Sequence, residues 1–322
     1  MPHVLCLRPI HPDAIALLRS RPDVTVEVLD PVTPEALDHR IGAAHAITVR
    51  LQTIDAALIG KARNLRIVAR HGVGYDAVDV AALTARGIPL TVTPDANAVS
   101  VAEHALMLML ATARQTVGYH ARTRAAQWGF DLPTFDLAGR TVLVIGFGRI
   151  GGRVARLCAA FGMTVLVRDP HVPRNTIKGA GFVPADDLDA ALAAADIVTL
   201  HCPATAETRG MVNEAFLKAA KPGVVLINTA RGTLVDEPAL ATALAAGHVA
   251  GAGIDVFAVE PVQPDNVLLK APNVVLMPHS AAATAESMRR MAMSCAESIL
   301  ACFDGRLDPH VVVNPEVLRR NA

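Results

Sequence analysis

The sequence predicts an α/β protein built from two doubly wound domains, one of them inserted into the other. Short apolar segments alternate with helical segments twice along the 322 residues, over about 3–93 and about 141–277. Such alternation is typical of parallel sheets that carry helices on both faces. Two long helical stretches, near 99–114 and 285–303, join the two blocks. Because the chain passes twice between the blocks, we expect one domain at 1–98 and 286–322 and a second at 99–285.

Runs of apolar and β-branched residues predict the strands, and longer amphipathic runs predict the helices. In the first block we expect strands at 3–7, 24–29, 46–49, 65–69 and 90–93, and helices at 13–20, 35–40, 55–61 and 78–86. In the second block we expect strands at 141–145, 164–167, 197–200, 224–228, 251–255 and 274–277, and helices at 149–161, 186–195 and 237–246. The stretch 285–303 predicts a long amphipathic helix, and 311–313 is compatible with a returning strand.

The predicted helix at 99–114 has almost no polar face, since apolar residues fill every position from 105 to 111. A helix that is apolar all round is buried, either between domains, in an interface between subunits, or in an ordinary domain core. All three alternatives agree with the sequence, and the high overall hydropathy of the chain favours an interface over an ordinary core.

Composition and charge argue against several classes of protein. The 30 basic residues balance the 30 acidic ones, whereas a general nucleic-acid binder carries a basic excess. A hydrophobic content of 52% with 19% charged residues argues against disorder. No apolar run approaches the roughly 18 residues of a membrane span, and the N-terminus lacks the features of a secretory leader. Five scattered cysteines without a CxxC pair predict reduced thiols and no metal site. We therefore expect a cytoplasmic protein without nucleic-acid or membrane partners.

A glycine-rich turn opens the second block. The predicted strand 141–145 leads directly into Gly146-x-Gly148-x-x-Gly151 and then into a helix. In this context the first glycine permits the tight turn, the second lets the backbone approach a pyrophosphate, and the third permits close helix–strand packing. The N–H groups and dipole of the helix then face the anion, and Arg149 adds a positive charge. The pattern predicts a dinucleotide-binding Rossmann domain.

An acidic residue at the end of the next strand indicates which dinucleotide is bound. Asp169 lies 18 residues after Gly151, where an acid that binds the ribose hydroxyls is expected. Its charge would repel a 2′-phosphate, so the sequence favours NAD over NADP. Arg168 beside it weakens this preference.

Three polar side chains follow apolar strands of the second block. Arg231 and His279 come shortly after the strands at 224–228 and 274–277, and Glu260 follows the strand at 251–255. Arginine offers a planar fork for a carboxylate or carbonyl oxygen, and histidine passes a proton to or from an oxygen. A glutamate beside the histidine would fix its tautomer and favour its protonated form. These groups are the ones that reduction of a 2-oxo acid requires.

The sequence resembles the D-isomer-specific 2-hydroxyacid dehydrogenase family over essentially its whole length. The matching segments are 70–76 (RHGVGYD), 101–103 (VAE), 146–151 (GFGRIG), 201–203 (HCP), 228–232 (NTARG) and 278–279 (PH). The resemblance implies an inserted Rossmann domain that binds NAD, an outer flavodoxin-like substrate domain, and a homodimer formed through the inserted domain. The implied catalytic residues are Arg231, Glu260 and His279. The implied substrate contacts are Arg70, Val73, Gly74, Arg231 and His279. The implied cofactor contacts are Val101, Gly146, Gly148, Arg149, Ile150, Gly151, Asp169, His201, Cys202, Pro203, Thr229, Ala230, Arg231, Asp255, His279 and Ala281. Among these, Val101 is expected at the nicotinamide ring, Asp255 and Ala230 at its carboxamide, and Cys202 and Pro203 on the adenosine side.

The resemblance leaves the substrate open. Reduction of hydroxypyruvate or glyoxylate and oxidation of 3-phosphoglycerate agree with it about equally, and phosphite oxidation uses a similar set of side chains. Some phosphoglycerate dehydrogenases carry an arginine where Phe130 stands here, whereas formate dehydrogenases pair their histidine with glutamine instead of Glu260. A different class of function is a non-enzymatic, NAD-sensing interaction protein like the C-terminal binding protein corepressors.

Overall fold

The computed structural model describes residues 1–320, which form two compact units. The first contains Met1–Asn97 and residues 283–320, and the second is Ala98–Ala282. The predicted boundaries lie within three residues of these divisions. The division by itself does not assign a ligand to either unit, so the cofactor-binding and substrate-binding roles stay predictions.

The first unit is a five-stranded parallel sheet with helices on its faces. Its elements are β1 (His3–Leu7), α1 (Pro12–Arg19), β2 (Thr25–Leu29), α2 (Pro34–Ile41), β3 (Ala46–Val49), α3 (Ala56–Lys61), β4 (Ile67–Arg70), α4 (Val80–Ala85) and β5 (Leu90–Thr91). The strand order β2-β1-β3-β4-β5 is that of a flavodoxin-like sheet. Side-chain caps determine where the helices begin, because Asp55 and Asp79 accept hydrogen bonds from the N–H groups of Leu58 and Ala82.

The second unit is a seven-stranded parallel sheet. Its elements are α5 (Ala98–Ala113), α6 (Thr116–Arg124), β6 (Thr141–Ile145), α7 (Arg149–Ala160), β7 (Thr164–Arg168), α8 (Arg174–Gly179), β8 (Val183–Pro184), α9 (Leu188–Ala194), β9 (Ile197–Leu200), α10 (Glu214–Ala219), β10 (Val224–Asn228), α11 (Glu237–Ala245), β11 (Val249–Ile254) and β12 (Val274–Leu276). The strand order β12-β11-β10-β9-β6-β7-β8 reverses direction between β6 and β9. Ligands of open α/β sheets bind at the carboxyl ends of the strands that flank such a reversal. The predicted α/β class with two doubly wound parallel sheets is confirmed.

Helix α5 is a core helix of its own unit, which corrects the preference for an interface helix. Ten of its 16 residues are buried, and six of the ten pack in one cluster with side chains of α7, β6 and β10. Strand β11 makes this close packing possible with two glycines. A Cβ at Gly253 would lie 2.8 Å from the Cβ of Leu108, and one at Gly251 would lie 2.6 Å from Thr112 Cγ2.

The C-terminal part returns to the first unit. Helix α12 (Ala285–Phe303) has the predicted bounds, and four of its seven buried residues join those of α1 and β1 in one core cluster. The predicted strand at 311–313 is wrong. Residues Pro309–Val311 form a 3₁₀ turn capped by Asp308, and Val312 makes a single antiparallel bridge to Thr91. Proline at the first position of the turn lacks the N–H that a strand ladder needs.

Within residues 1–320, no helix is long and apolar enough to cross a membrane. The five cysteines are free thiols. The same residues contain no cluster of three or more His, Cys, Asp or Glu side chains arranged to hold a metal ion.

Candidate active site

The glycine-rich turn lies where β6 ends beside β9, at the reversal of strand order. Gly146 has a φ of +95°, and a Cβ there would lie 2.6 Å from the carbonyl carbon of His201. A Cβ at Gly151 would lie 1.9 Å from the carbonyl oxygen of Gly146. Backbone atoms therefore exclude any side chain at these two positions, as the motif predicts.

Gly148 differs from its two neighbours, because a Cβ there would meet no protein atom within 4 Å. It is the N-cap of α7, a helix of 12 residues whose first residue is Arg149 and whose second is Ile150. The open space thus lies in front of N–H groups at a helix N-terminus, where phosphates are bound most readily. The residues present fit the pyrophosphate of a dinucleotide.

Asp169 follows β7 and points back to this turn. Its Oδ2 accepts a hydrogen bond from the N–H of Phe147 at 2.8 Å, and its Oδ1 accepts one from the N–H of His171 at 2.9 Å. Each carboxylate oxygen keeps a further lone pair for a ribose hydroxyl. The neighbouring Arg168 donates to the carbonyl oxygen of Asp186 at 2.9 Å, so its guanidinium has a protein partner.

The segment 201–203 follows β9 on the other side of the reversal. The N–H of His201 donates to the Ile145 carbonyl at 2.7 Å, and its Nε2 lies 2.9 Å from Thr199 Oγ1. Burial lowers the pKa of His201 to about 3, so the ring is neutral. Burial also raises the pKa of Cys202 to about 11 against a weaker backbone hydrogen bond, with a further increase from the charge of Asp169. Cys202 is therefore a protonated thiol. Pro203 accepts a hydrogen bond from Thr208 through its carbonyl oxygen.

Asn228 organises the turn that carries Arg231. This fully buried side chain accepts the N–H of Ala230 at 3.0 Å and donates to the Arg231 carbonyl at 2.8 Å. The next residue, Gly232, lies against the backbone of Phe257, where a Cβ would come within 1.8 Å of the carbonyl carbon. The turn after β10 and the loop after β11 are thereby in direct contact.

Glu260 and His279 form a hydrogen-bonded pair beside this contact. His279 Nδ1 lies 2.7 Å from Glu260 Oε2, and Glu260 Oε1 accepts the N–H of Phe257 at 3.0 Å. Burial alone would raise the pKa of the Glu260 carboxyl. The bonds from His279 and Phe257 and the charges of His279 and Arg231 outweigh it, so the pKa lies below its ordinary value. The sequence prediction thus named three residues that the fold brings into one electrostatic group.

A buried carboxylate anchors the turn of His279. Asp255 is inaccessible to solvent, and its carbonyl oxygen accepts the N–H of His279 at 2.7 Å. Its side chain accepts the N–H groups of Ser280 at 2.8 Å and Ala281 at 3.0 Å. His279 has a φ of +52°, a left-handed conformation that is uncommon for residues other than glycine. Asp255, predicted as a nicotinamide contact, thus also holds the backbone of the predicted acid/base.

The remaining predicted cofactor residues differ in exposure. Val101 on α5 is 5% exposed, Thr229 8% and Ala281 4%, whereas Ala230 is half-buried.

The predicted substrate loop follows β4 in the first unit. Arg70 Nε donates to the Gly74 carbonyl at 2.6 Å, and its Nη1 donates to the His71 carbonyl. Arg70 therefore folds over the loop of Val73 and Gly74, both of which are partly exposed. Gly72 has a φ of +135°, which suits the sharp turn of this loop.

Sequence reasoning missed two basic side chains near this loop. Arg8 follows β1 and Arg50 follows β3, so both lie at the same carboxyl edge of the sheet as Arg70. Burial and the nearby charge of Arg8 lower the pKa of Arg50. Burial and the charges of Arg50 and Arg70 lower the pKa of His71 to about 4 despite backbone hydrogen bonds, so that ring is neutral. Arg8 and Arg50 directly follow predicted strands, and this position was the sequence signal that could have identified them.

Comparison with known proteins relates this geometry to a family. The sequence profile described as "D-isomer specific 2-hydroxyacid dehydrogenase, NAD binding domain" matches residues 106–281. The chain is 42% identical over 304 residues to a D-3-phosphoglycerate dehydrogenase of Archaeoglobus fulgidus, covering 94% of this chain and 57% of that protein. It is 39% identical over 297 residues to a glyoxylate reductase of Korarchaeum cryptofilum, covering 90% and 88%. The crystal structure of D-lactate dehydrogenase from Aquifex aeolicus, complexed with NAD and lactic acid, has a TM-score of 0.86 at 29% identity and covers 97% and 99%.

The chain spans little more than half the length of the phosphoglycerate dehydrogenase relative. The profile match covers more than half of the chain and lies entirely within the second unit, from α5 to the turn after His279. The second unit thus matches the NAD-binding domain of this family, and the chain belongs to the D-isomer specific 2-hydroxyacid dehydrogenase family.

Proposed function

We propose that the protein is an NAD-dependent oxidoreductase that interconverts a small D-2-hydroxy acid and its 2-oxo acid. The observation that carries this proposal is the 2.7 Å contact between His279 Nδ1 and Glu260 Oε2, in the unit that also holds the glycine turn. The names of two proteins similar to this chain, a glyoxylate reductase and a D-lactate dehydrogenase, belong to the same reaction class.

His279 is the acid/base of the proposed reaction. Bound NADH supplies the hydride that reduces C2 of the oxo acid. Because Nδ1 faces Glu260, Nε2 is the nitrogen that remains to give a proton to the substrate oxygen, or to take it back in the oxidation. Glu260, ionised because its pKa is lowered, stabilises the imidazolium that donates this proton. Arg231 binds the substrate carboxylate or carbonyl oxygen with its planar guanidinium. The N–H groups of Val73 and Gly74 stay the predicted contacts of the substrate carboxylate.

The cofactor contacts proposed for the second unit follow the predicted set. The pyrophosphate lies at Gly148 and the start of α7, and the ribose hydroxyls bind Asp169. NAD is favoured over NADP because a 2′-phosphate would meet the Asp169 charge, while Arg168 already donates to the Asp186 carbonyl. Steady-state kinetics with each cofactor should give a kcat/KM for NADH at least tenfold above that for NADPH. A ratio near or below one would contradict this preference.

The substrate is proposed to carry a second anionic group, as 3-phosphohydroxypyruvate does. Arg8 and Arg50 support this choice, because they add two positive charges beside Arg70 at one sheet edge. Arg50→Gln should raise KM for phosphohydroxypyruvate at least tenfold and leave KM for glyoxylate within twofold. An equal effect on both substrates would remove the phosphate from the proposal.

A homodimer formed through the second unit is also proposed. Trp128 and Phe130 support it, since both are 84% exposed and form an edge-to-face pair with centroids 6.4 Å apart. Large exposed apolar groups of this kind mark protein contacts. Light scattering should show a dimer for the wild type and a larger monomer fraction for the double variant Trp128→Ser/Phe130→Ser. A monomeric wild type would refute the homodimer. A cytoplasmic location stays a prediction.

The central test is the variant His279→Ala. We expect turnover of 2-oxo acids to fall by roughly 10²- to 10⁴-fold, while NADH affinity, measured by fluorescence, stays within a few-fold. The proposal would be contradicted if none of the 2-oxo acids tested supported NADH consumption by the wild-type protein. Binding of NADH without any turnover would then favour the NAD-sensing function, and oxidation of phosphite would favour a phosphite dehydrogenase.

A further inference from the structure

One face of α5 lies along β11 in a regular register. Thr112 packs against Gly251, and Leu108 packs against Gly253. One helical turn earlier on α5, and two residues later along the chain from β11, His104 Nε2 lies 3.4 Å from Asp255 Oδ1. Four helix residues rise about 6 Å, and two strand residues advance about 6.6 Å. The same packing that requires the two glycines therefore places the His104 imidazole at Asp255.

The imidazole and the carboxylate are both withdrawn from water. Asp255 is 0% exposed, and the His104 side chain is 12% exposed. The Nε2 atom of His104 is itself buried, and it has no hydrogen-bond partner among the described residues at the recorded ring orientation. Buried polar atoms of this kind nearly always have a partner. The carboxylate oxygen 3.4 Å away is within reach after a small rotation of the ring.

Asp255 is the group on which the turn of His279 depends. Its carbonyl oxygen and both carboxylate oxygens accept the three consecutive N–H groups of residues 279–281. His279 keeps a φ of +52° in this turn. An uncommon backbone conformation persists when the surrounding structure holds it. Any shift of the Asp255 carboxylate is therefore passed directly to the backbone of His279.

We infer that His104 is a positioning residue for His279. Its Nε2–H donates to the Asp255 carboxylate and fixes the orientation in which that carboxylate holds residues 279–281. His104 itself contacts no reacting atom in this scheme. The kinetic part of the inference rests on the proposed function, whereas the structural part does not.

Two substitutions at His104 and one elsewhere test the inference. His104→Phe keeps a ring of similar size without a donor, and His104→Gln places an N–H donor near the position of Nε2. His248→Phe is the matched control, because His248 is a half-buried histidine of the same unit whose Nε2 faces carbonyl oxygens at the opposite end of β11. For each variant, kcat and KM are measured, together with the thermal midpoint and the hydrogen exchange of the amides at 279–281.

His104→Phe should lower kcat by about tenfold through misplacement of the acid/base, with KM for NADH within twofold. It should also speed exchange of the amides at 279–281 by at least tenfold. His104→Gln should restore both quantities to within threefold of the wild type. His248→Phe should lower the thermal midpoint and leave both unchanged.

Two results would overturn the inference. Wild-type exchange rates in His104→Phe would show that His104 does not hold the turn. His104 would instead have a packing role if His104→Gln showed the same loss of kcat and the same fall in thermal midpoint as His104→Phe. If the wild type reduces no 2-oxo acid, the proposed function fails, yet the exchange measurement still decides the role of His104. If His104→Phe does not fold, the comparison of His104→Gln with His104→Asn, whose amide is too short to reach Asp255, replaces it.

Discussion

Substituting Gly148 separates cofactor binding from stability. An added Cβ would meet no protein atom, and the backbone angles of Gly148, −79° and −157°, are open to alanine. Loss of freedom in the unfolded chain stabilises Gly148→Ala by about 0.4–1 kcal/mol. Alanine in place of glycine at a helix N-cap costs a similar amount, up to about 1 kcal/mol. The free energy of unfolding should therefore stay within about 1 kcal/mol of the wild type.

The effect on binding is expected to be much larger. The new methyl group occupies the space through which a pyrophosphate reaches the N–H groups of α7. Loss of one hydrogen bond to a charged group costs about 1.5–3 kcal/mol, which corresponds to a roughly 10- to 150-fold higher Kd. Titration of NADH by calorimetry measures this change, and thermal unfolding measures stability. Gly179→Ala is the control, since its Cβ also meets nothing within 4 Å. An unchanged Kd in folded Gly148→Ala would refute the assignment of this space to the pyrophosphate.

Three further results are expected. Gly232→Ala should lower the free energy of unfolding by about 1–3 kcal/mol and also reduce kcat, because its methyl group overlaps the backbone of Phe257; unchanged thermal unfolding would contradict the close approach. His201 takes up a proton near pH 6.5 in the unfolded chain but only near pH 3 in the folded one. The free energy of unfolding should therefore fall by up to about 5 kcal/mol as the pH is lowered from 6.5 to 3. Denaturant unfolding of His201→Gln should show a smaller fall over the same pH range. The folded-state pKa of Glu260 is lowered, so any stabilisation by its charge is present above the ordinary value of 4.5 and is lost as the pH falls through the folded pKa. Wild type and Glu260→Gln should accordingly differ in stability at pH 7 and converge in acid, and a constant difference would count against this linkage.

Much of the fold could be predicted because its strands are short apolar runs between polar residues. The strands at 3–7, 46–49, 141–145, 197–200 and 224–228 have the predicted bounds. Helix bounds were less exact, since a single capping side chain such as Asp79 determines the first residue. Helix α6 was missed because none of its residues is buried, so the sequence carries no amphipathic signal there. Helices α8 and α10, with six residues each, were also missed, although α3 and α4 have the same length and were predicted.

The site was only partly predictable, for a reason that Gly232 illustrates. Arg231, Glu260 and His279 were recognisable because ligand-binding side chains follow the strands of such sheets. The contact of Gly232 with Phe257, and the bonds from Asp255 to residues 280 and 281, join segments far apart in sequence and depend on backbone positions. Likewise, Gly251 and Gly253 were the signal that α5 packs in the core, since two glycines in one strand permit a close approach from above.

The same backbone contacts divide the proposed chemistry between the two units. The acid/base pair, its Asp255 anchor and the glycine turn belong to Ala98–Ala282, so this machinery is assembled by bonds within one unit. Arg8, Arg50 and the loop held by Arg70 belong to the other unit. Because neither set uses the other's backbone bonds, selectivity between oxo acids can change at the sheet edge of the first unit without loss of the pair formed by His279 and Glu260.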